Sequence, residues 1–366
     1  MLPQRCPGSH AQDGISAFTP GSSFPSPGLL QDAIPCAERI LFCNSGSEAT
    51  GYAMRAARAF TGKEKIGIFD GYWHGMHDYC MVAPSAVLSR DRPSGVAIST
   101  GIPEAIRDLI VPLPYRNPSA LDIIRANKDE LAMVIVEPVQ HSNPQGEVRD
   151  YLKSVQEVCR ECNVLFAFDE MVTGFRLAYG GGQEYFGITP DLATLGKACG
   201  GGLPIGVIAG REDVMRMFLP RPGEQGVFTG GTFTGNPLTM AAGTAAVRYY
   251  AEHPEIYASM AAEGNRLTAR FNEFATRHNM AVQMSNVGSM FHIYFQSGPV
   301  RSSFDIDEKP MELARQAFLM HTLNLGVLIS GGNRTYLSAA HSSAVVDRMI
   351  DIFQESLALV REDGLF

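Results

Sequence analysis

Apolar, strand-like runs alternate with helix-like segments through most of this chain. The strand-like runs, rich in β-branched and apolar residues, lie at residues 39–43, 65–69, 132–136, 164–168, 192–195 and 205–209. The helical patterns lie at residues 47–60, 150–162 and 238–251. Repeated strand-then-helix order predicts an α/β fold with a mainly parallel sheet that is covered on both faces.

The pattern changes near residue 280, and 366 residues are too many for one compact core. The tail has strand-like runs at 281–284, 290–295, 327–330 and 336–338, and helical patterns at 311–324 and 345–361. We therefore expect four parts. They are an irregular Gly/Pro/Ser-rich segment over 1–35, a large domain over 36–252, a connecting helix over 253–278 and a small α/β domain over 279–366.

Composition excludes several classes of function. The formal net charge of −8 argues against a general role on nucleic acid or acidic lipid, because phosphate recognition requires basic patches. No apolar stretch is long enough to span a membrane, and the N-terminus lacks a secretory pattern. The 7 scattered cysteines predict reduced thiols in a cytoplasmic protein. Cys159 and Cys162 have no second pair or nearby histidine, so we expect no metal site.

Two residues follow strand-like runs and carry the most chemistry. Asp169 comes directly after the run 164–168, so it should lie at the carboxyl edge of the sheet, where α/β folds bind ligands. Lys197 lies among Leu, Ala, Cys and glycines. Burial there would disfavour its charge and leave a nucleophilic amine. Taken alone, each has a simpler reading: a carboxylate that caps a turn, and a lysine that extends from a glycine loop.

Two glycine-rich turns precede helices. In Asn44-Ser-Gly-Ser-Glu-Ala, Gly46 permits a tight turn, and Ser47 adds a hydroxyl beside the free N–H groups of a helix start, where an anion is favoured. In Gly230-Gly-Thr-Phe-Thr-Gly-Asn-Pro, Thr232 is the corresponding donor. Plain helix capping explains either turn equally well. A third segment, Asp70-Gly-Tyr-Trp-His-Gly, holds the single tryptophan, Trp73, which either stacks on a ligand ring or packs in the core.

Six motifs occur together in a fixed order. They are Asn-Ser-Gly-Ser-Glu-Ala, Gly-Tyr-Trp-His-Gly, Val-Glu-Pro-Val, Phe-Asp-Glu-Met-Val-Thr-Gly-Phe-Arg, Leu-Gly-Lys-Ala-Cys-Gly-Gly-Gly-Leu-Pro and Gly-Thr-Phe-Thr-Gly-Asn-Pro-Leu. From about residue 38 to the C-terminus, the chain resembles the class III aminotransferases that depend on pyridoxal phosphate (PLP). Within that class it is most similar to the glutamate-1-semialdehyde aminomutase branch.

The resemblance implies the fold type I of PLP enzymes: a large domain on a mainly parallel seven-stranded sheet, with a small C-terminal α/β domain. It implies that Lys197 holds the cofactor as a Schiff base and moves the substrate proton, and that Asp169 binds the ring nitrogen. It also implies a homodimer in which Thr232 of the partner subunit reaches the phosphate. The remaining cofactor contacts that it implies are Gly46 and Ser47 on the phosphate, and Trp73 and Met171 on the two ring faces.

Two departures from the family pattern bear on the substrate. Only 43 residues precede Asn44, so we expect the family's N-terminal subdomain to be missing or truncated. Asn333 stands where the aminomutases have a glutamate. Arg334, and less strongly Arg176, are candidates to bind a substrate carboxylate, because a guanidinium matches that group with two hydrogen bonds.

These observations predict a PLP-dependent aminotransferase that moves an amino group between an amino acid or amine and a separate keto or aldehyde acceptor. One alternative is an aminomutase, which confines the same chemistry to one molecule. A second is an inactive protein of the same fold that binds or regulates. A metal or nucleotide enzyme is not indicated, since a ligand cluster and a complete nucleotide loop are both lacking.

Overall fold

The computed structural model describes residues 27–85, 94–220, 222–329 and 334–366. Its strands are β1 (Arg39–Cys43), β2 (Lys65–Phe69), β3 (Val82–Ser85), β4 (Ser94–Ala97), β5 (Ile110–Leu113), β6 (Leu131–Val136), β7 (Leu165–Asp169), β8 (Leu192–Gly196), β9 (Gly206–Gly210), β10 (Gln283–Val287), β11 (Met290–Tyr294) and β12 (Arg334–Tyr336). Its helices are α1 (Pro27–Ala33), α2 (Gly46–Thr61), α3 (Glu104–Arg107), α4 (Ser119–Ala126), α5 (Arg149–Glu161), α6 (Gly181–Phe186), α7 (Glu212–Met215), α8 (Pro237–Glu252), α9 (Glu255–Arg277), α10 (Glu312–Asn324) and α11 (Ser343–Glu362).

A central sheet organises the first part of the chain. Over the described residues it has seven strands in the order β1-β9-β8-β7-β6-β2-β5. Strand β9 runs antiparallel to both of its neighbours, β1 and β8, while the other neighbouring pairs are parallel. The predicted α/β fold with a mainly parallel sheet is confirmed. Because parallel strands run in one direction, their carboxyl ends meet at one edge of the sheet.

Both faces of this sheet are covered, which explains why its central strands are apolar throughout. On one face Val134 and Phe166 pack with Val155 of α5. On the other face Met133 and Ala167 pack with α2. Helix α2 presents small, fully buried residues to the sheet, and they let its backbone approach closely. These residues are Ala49, Ala53, Ala56 and Ala57.

The C-terminal part forms a separate three-stranded antiparallel sheet, β10-β11-β12. Helices α9, α10 and α11 enclose an aromatic core in which Phe271 and Phe318 both contact Phe353 edge-on. Within the predicted strand at 327–330, the described residues 327–329 are not a strand, and the last strand ends at Tyr336 instead of extending through 338. The domain boundaries at 36, 253 and 279 remain predictions.

The N-terminal segment differs from the irregular structure expected over 1–35. Residues 27–33 form α1, which buries Leu30 and Ala33, and the following Ile34 is buried as well. These side chains share a core with Phe175 and with residues of β8 and β9. Helix α1 therefore belongs to the packed fold, while residues 1–26 lie outside the described residues.

Candidate active site

The carboxyl edge of the central sheet holds a cavity of about 610 Å³. Strand β7 ends at Asp169, and β8 ends one residue before Lys197. Both side chains line this cavity, because the two strands are parallel neighbours in which Asp169 pairs with Thr194. Six of the residues singled out from the sequence line it together: Gly46, Ser47, Trp73, Asp169, Met171 and Lys197.

Asp169 is held rigidly within the site. Its side chain is almost fully buried, and Oδ1 accepts a hydrogen bond from the Met171 N–H at 3.0 Å. Oδ2 lies 2.8 Å from Nδ1 of His74, which is also buried. Among the described residues, Nε2 of His74 is buried without a hydrogen-bond partner. The sequence reasoning gave no role to His74, although it directly follows Trp73 in the aromatic motif.

Lys197 begins a short 3-10 turn and has φ +48°, a left-handed backbone conformation that is uncommon for a residue with a side chain. Of the two readings of Lys197, the structure agrees with a lysine that extends from a glycine-rich turn, because the residue is exposed. Lys197 also lines the cavity. The amine is therefore accessible to a bound molecule.

The first turn of α2 forms one wall of the cavity. Ser45 is the N-cap, and its hydroxyl accepts a hydrogen bond from the Glu48 N–H at 3.3 Å. The first N–H groups of a helix, here those of Gly46 and Ser47, have no partner within the helix and favour an anion. Ser47 Oγ accepts a hydrogen bond from the Met76 N–H at 3.0 Å, so its own proton can still be donated to an anion.

Met171 fits between two glycines. A Cβ atom on Gly46 would lie 2.7 Å from Sδ of Met171, and a Cβ atom on Gly196 would lie equally close to the same sulfur. Both distances are well below van der Waals contact. The absence of side chains at these two positions is therefore what allows the thioether to line the cavity.

Four other residues singled out from the sequence lie outside this cavity or are not fully described. Thr232 is exposed on the glycine-rich segment before α8. Arg176 donates to the carbonyl oxygens of Val172 at 3.1 Å and Leu337 at 3.2 Å, and its guanidinium lies 4.7 Å from the centre of the Tyr336 ring. Burial lowers the pKa of Arg176. Arg334 belongs to β12, but its side chain is not described, and Asn333 lies outside the described residues.

The cavity fits PLP on chemical grounds. It combines a buried carboxylate for a protonated ring nitrogen, helix N–H groups and a hydroxyl for a phosphate, and an accessible amine for an aldehyde. Trp73 and Met171 add an aromatic and a thioether surface for a flat ring. The volume is within the usual range for cofactor sites.

Neither a metal site nor a membrane-spanning helix is found in the described part of the chain. No group of three or more His, Cys, Asp or Glu side chains is arranged to hold a metal ion there. In the same residues, no helix combines the length and apolar character needed to cross a membrane. The described cysteines are free and buried.

Comparison with known proteins identifies the family. The aminotransferase class-III family model matches residues 15–360. Glutamate-1-semialdehyde 2,1-aminomutase of Methanocaldococcus jannaschii is 38% identical over 332 residues, which are 88% of this chain and 74% of that protein. The crystal structure of an omega-transaminase from Sphaerobacter thermophilus, 30% identical, superposes with a TM-score of 0.83 over 95% of this chain and 81% of that one.

A further solved structure bears on the cofactor. A transaminase with PLP bound is 26% identical and superposes with a TM-score of 0.81, covering 92% of this chain and 77% of that one. The family, the fold type and the enzyme class expected from the motifs are confirmed. The chain belongs to the class III aminotransferases, a family of enzymes that use pyridoxal phosphate.

Proposed function

We propose that this enzyme moves an amino group within one substrate molecule, as a glutamate-1-semialdehyde 2,1-aminomutase does. The observation that carries amino-group chemistry is the presence of Lys197 and Asp169 in one cavity. The preference for an intramolecular reaction rests on aminomutase relatives that are 37–38% identical over 88–91% of this chain. This reading replaces transfer to a separate acceptor as the leading hypothesis.

Six residues of this chain would hold the cofactor. Gly46 and Ser47, at the start of α2, would bind the phosphate through helix N–H groups and the serine hydroxyl. Asp169 would accept a hydrogen bond from the ring N–H, since its carboxylate is already fixed by His74. Trp73 and Met171 would cover the faces of the ring. Lys197 would bind the aldehyde carbon through Nζ.

The chain's own groups then divide the work of the reaction. When bound, PLP supplies an electron sink for the pair left on a substrate carbon that loses its proton. Asp169 keeps that sink effective, because its negative charge favours a proton on the ring nitrogen. Nζ of Lys197 removes the proton from the carbon that bears nitrogen and returns it to an acceptor carbon. For glutamate-1-semialdehyde, the product is the isomer with nitrogen on carbon 1 and the carbonyl on carbon 2.

The substrate carboxylates need cationic or polar partners. Arg334, Asn333 and Arg176 remain our candidates. Arg176 already spends two donors on backbone carbonyl oxygens and stacks on Tyr336. It is therefore suited to hold β12, the strand that carries Arg334, against the loop that follows Asp169.

We also propose that the active enzyme is a homodimer in which Thr232 of the partner subunit contacts the phosphate. In the isolated chain Thr232 is exposed and does not line the cavity. Large apolar side chains around it are exposed as well: Phe228 by 85%, Phe233 by 72% and Leu238 by 76%. Apolar groups exposed so close together are typical of a protein interface.

The two-substrate transaminase stays as the second candidate. The Sphaerobacter thermophilus omega-transaminase, 30% identical, favours it. So does Asn333, which stands where the aminomutases have a glutamate. The third hypothesis is an inactive binding or regulatory protein. It predicts that PLP forms no covalent bond to the protein and that no substrate is converted.

One experiment separates these functions. The purified protein is loaded with PLP or its amine form and incubated with glutamate-1-semialdehyde, with and without a 2-oxo acid. We expect the isomeric amino ketone to form at the same rate in both mixtures, without transfer of nitrogen to the oxo acid. Nitrogen that appears in the oxo acid in proportion to turnover would instead identify a transaminase.

The control variant is Lys197→Ala, which removes the amine but leaves Asp169 and the cavity in place. We expect it to lose the visible absorption band of the lysine-bound cofactor and to lose turnover. A wild-type protein that shows neither band nor turnover would support the inactive binding protein.

A further inference from the structure

The segment that carries Trp73, residues 70–75 and here called the aromatic loop, is held by side chains from the connection after β6. Gln140 Nε2 donates to the carbonyl oxygen of Asp70 at 2.6 Å, and Ser142 Oγ donates to that of Gly71 at 2.6 Å. Oε1 of Glu137 accepts a hydrogen bond from the Trp73 N–H at 2.8 Å. The backbone of the aromatic loop is therefore fixed by groups that follow a neighbouring strand.

Glu137 is the charged member of this set, and it is 97% buried, with 3% of its surface exposed. Oε2 accepts a hydrogen bond from the His141 N–H at 2.8 Å, and Nδ1 of His141 lies 2.9 Å from both carboxylate oxygens. Burial raises the pKa of Glu137, but His141, nearby His74 and the Trp73 N–H together outweigh burial and leave the pKa below its ordinary value. A buried carboxylate is costly unless it is paired and hydrogen-bonded, and His141 and the Trp73 N–H provide these contacts to Glu137.

Glu137 does not line the cavity within the described residues, so it is not placed to touch substrate or cofactor. Its influence has to pass through the residue that it holds. The residue after Trp73 is also held in place. His74 hydrogen-bonds to Asp169 through its side chain, and Thr50 Oγ1 donates to the His74 carbonyl oxygen at 2.6 Å. Glu137 is thus the side chain that fixes the backbone N–H of Trp73 itself.

We propose that Glu137 is a positioning residue that sets the Trp73 indole over the cofactor ring. The inference rests on the proposed function in one respect, namely that Trp73 covers that ring. Two strand ends then cooperate. Strand β7 ends at Asp169, which would meet the ring nitrogen. Strand β6 ends one residue before Glu137, which would hold Trp73 over the ring.

Trp73 is the only tryptophan of the chain, so intrinsic fluorescence reports on this one side chain. The test variant is Glu137→Gln, which is nearly isosteric. The N–H groups of Trp73 and His141 bond different oxygens of Glu137, and an amide replaces one of these oxygens with an NH₂ group, so one of the two hydrogen bonds is lost in this geometry. In the cofactor-free protein we expect stronger acrylamide quenching of Trp73 than in the wild type. In the loaded enzyme we expect kcat to fall by roughly tenfold to a hundredfold, as for a misplaced contact.

The matched control is Glu157→Gln, the same change at an exposed position of α5. It is expected to leave both quenching and kcat at wild-type values. If Glu137→Gln does not fold, Glu137→Asp retains the charge beside His141 but shortens the side chain, and it is expected to increase quenching as well. Wild-type quenching in whichever of these Glu137 variants folds would overturn the positioning role.

The same fluorescence signal keeps the two proposals separate. Addition of PLP to the wild-type protein is expected to quench Trp73, because the indole would stack on a ring that absorbs in its emission range. No quenching in the wild type would refute the ring-covering role of Trp73, which belongs to the proposed function. Quenching in the wild type together with unchanged acrylamide accessibility in Glu137→Gln would refute the role of Glu137 alone.

Discussion

Nδ1 of His74 lies 2.8 Å from Oδ2 of Asp169, and both side chains are almost completely buried. A carboxylate removed from water in this way depends on its hydrogen-bond donors, because an unpaired buried charge is costly. His74 and the Met171 N–H together hold both oxygens of Asp169. The orientation of the group proposed to meet the ring nitrogen therefore depends on a residue from another strand end.

We expect His74→Leu to weaken PLP binding by roughly tenfold to a hundredfold, the usual cost of a lost hydrogen bond to a charged group. His74→Asn is the matched control, since its amide N–H can take the place of Nδ1 and should retain most of the affinity. Titration of the cofactor-free protein with PLP, followed by absorption, measures both. Equal affinities for the Leu and Asn variants would contradict the role of this hydrogen bond.

Gly46→Ala is expected to weaken PLP binding, because its Cβ would lie 2.7 Å from Sδ of Met171 and push the thioether into the cavity. Gly51→Ala, on the same helix, is the control: its Cβ would meet only the ring of His77, whose nearest atom, Cδ2, is at an ordinary 3.5 Å. That change should leave binding intact and stabilise α2 by up to about 1 kcal/mol. Adding Met171→Ala to Gly46→Ala should restore part of the affinity if the clash is the cause.

We expect His77 to make the folded protein less stable as the pH falls. Burial, with a smaller contribution from nearby His74, lowers the pKa of His77 from 6.5 to about 4. Because the folded pKa is the lower one, the unfolded chain binds the proton first, and stability is lost as pH falls from 6.5 towards 4. Between pH 7.5 and pH 5, His77 should cost about 2 kcal/mol of unfolding free energy.

The measurement is urea unfolding at the two pH values for the wild type and for His77→Gln, which cannot titrate. The variant should show a pH-dependent loss that is smaller by about the same 2 kcal/mol. Identical losses in the two proteins would show that His77 is protonated equally in the folded and unfolded states.

Thr232 can be tested by mixing subunits. If Thr232 acts on the partner's cofactor, Lys197→Ala and Thr232→Ala subunits each lack something that the other supplies. In a mixed dimer, one site combines an intact Lys197 with an intact Thr232. Random re-association should then restore about a quarter of wild-type activity, since half the dimers are mixed and each has one intact site. Activity no higher than that of the unmixed variants would mean that Thr232 acts within its own subunit or not at all.

The sequence predicted the central part of the fold well because its strands are buried on both faces. Strands β6 and β7 are apolar at almost every position, and β7 ends at Asp169. Both the strands and the position of Asp169 at the carboxyl edge of the sheet could therefore be predicted. Strand β5 was missed. It is one of the two edge strands of the sheet and contains Pro112, which cannot donate to a neighbour and weakens the strand pattern.

The site was predicted from motifs but not from contacts. Lys197 and Asp169 meet in one cavity as expected. The exposure of Lys197 could not be predicted, since it depends on how the turn after β8 leaves the sheet. The partnership of His74 with Asp169 joins residues 95 positions apart, and no local pattern indicates such a pair. The exposed position of Thr232, away from the cavity of its own chain, likewise depends on tertiary geometry.

The reversed direction of β9 has a consequence for synthesis of the protein. Strand β9 lies between β1 and β8, and its first residue packs against the Ser45 carbonyl oxygen. The start of α2 and the turn at Lys197 therefore come together only after a strand that ends at Gly210 has been inserted between them. A ribosome that has released fewer than the first 210 residues holds a chain without the complete cavity that we propose for PLP. Capture of vitamin B6 is thus confined to the later stages of translation or to the finished polypeptide.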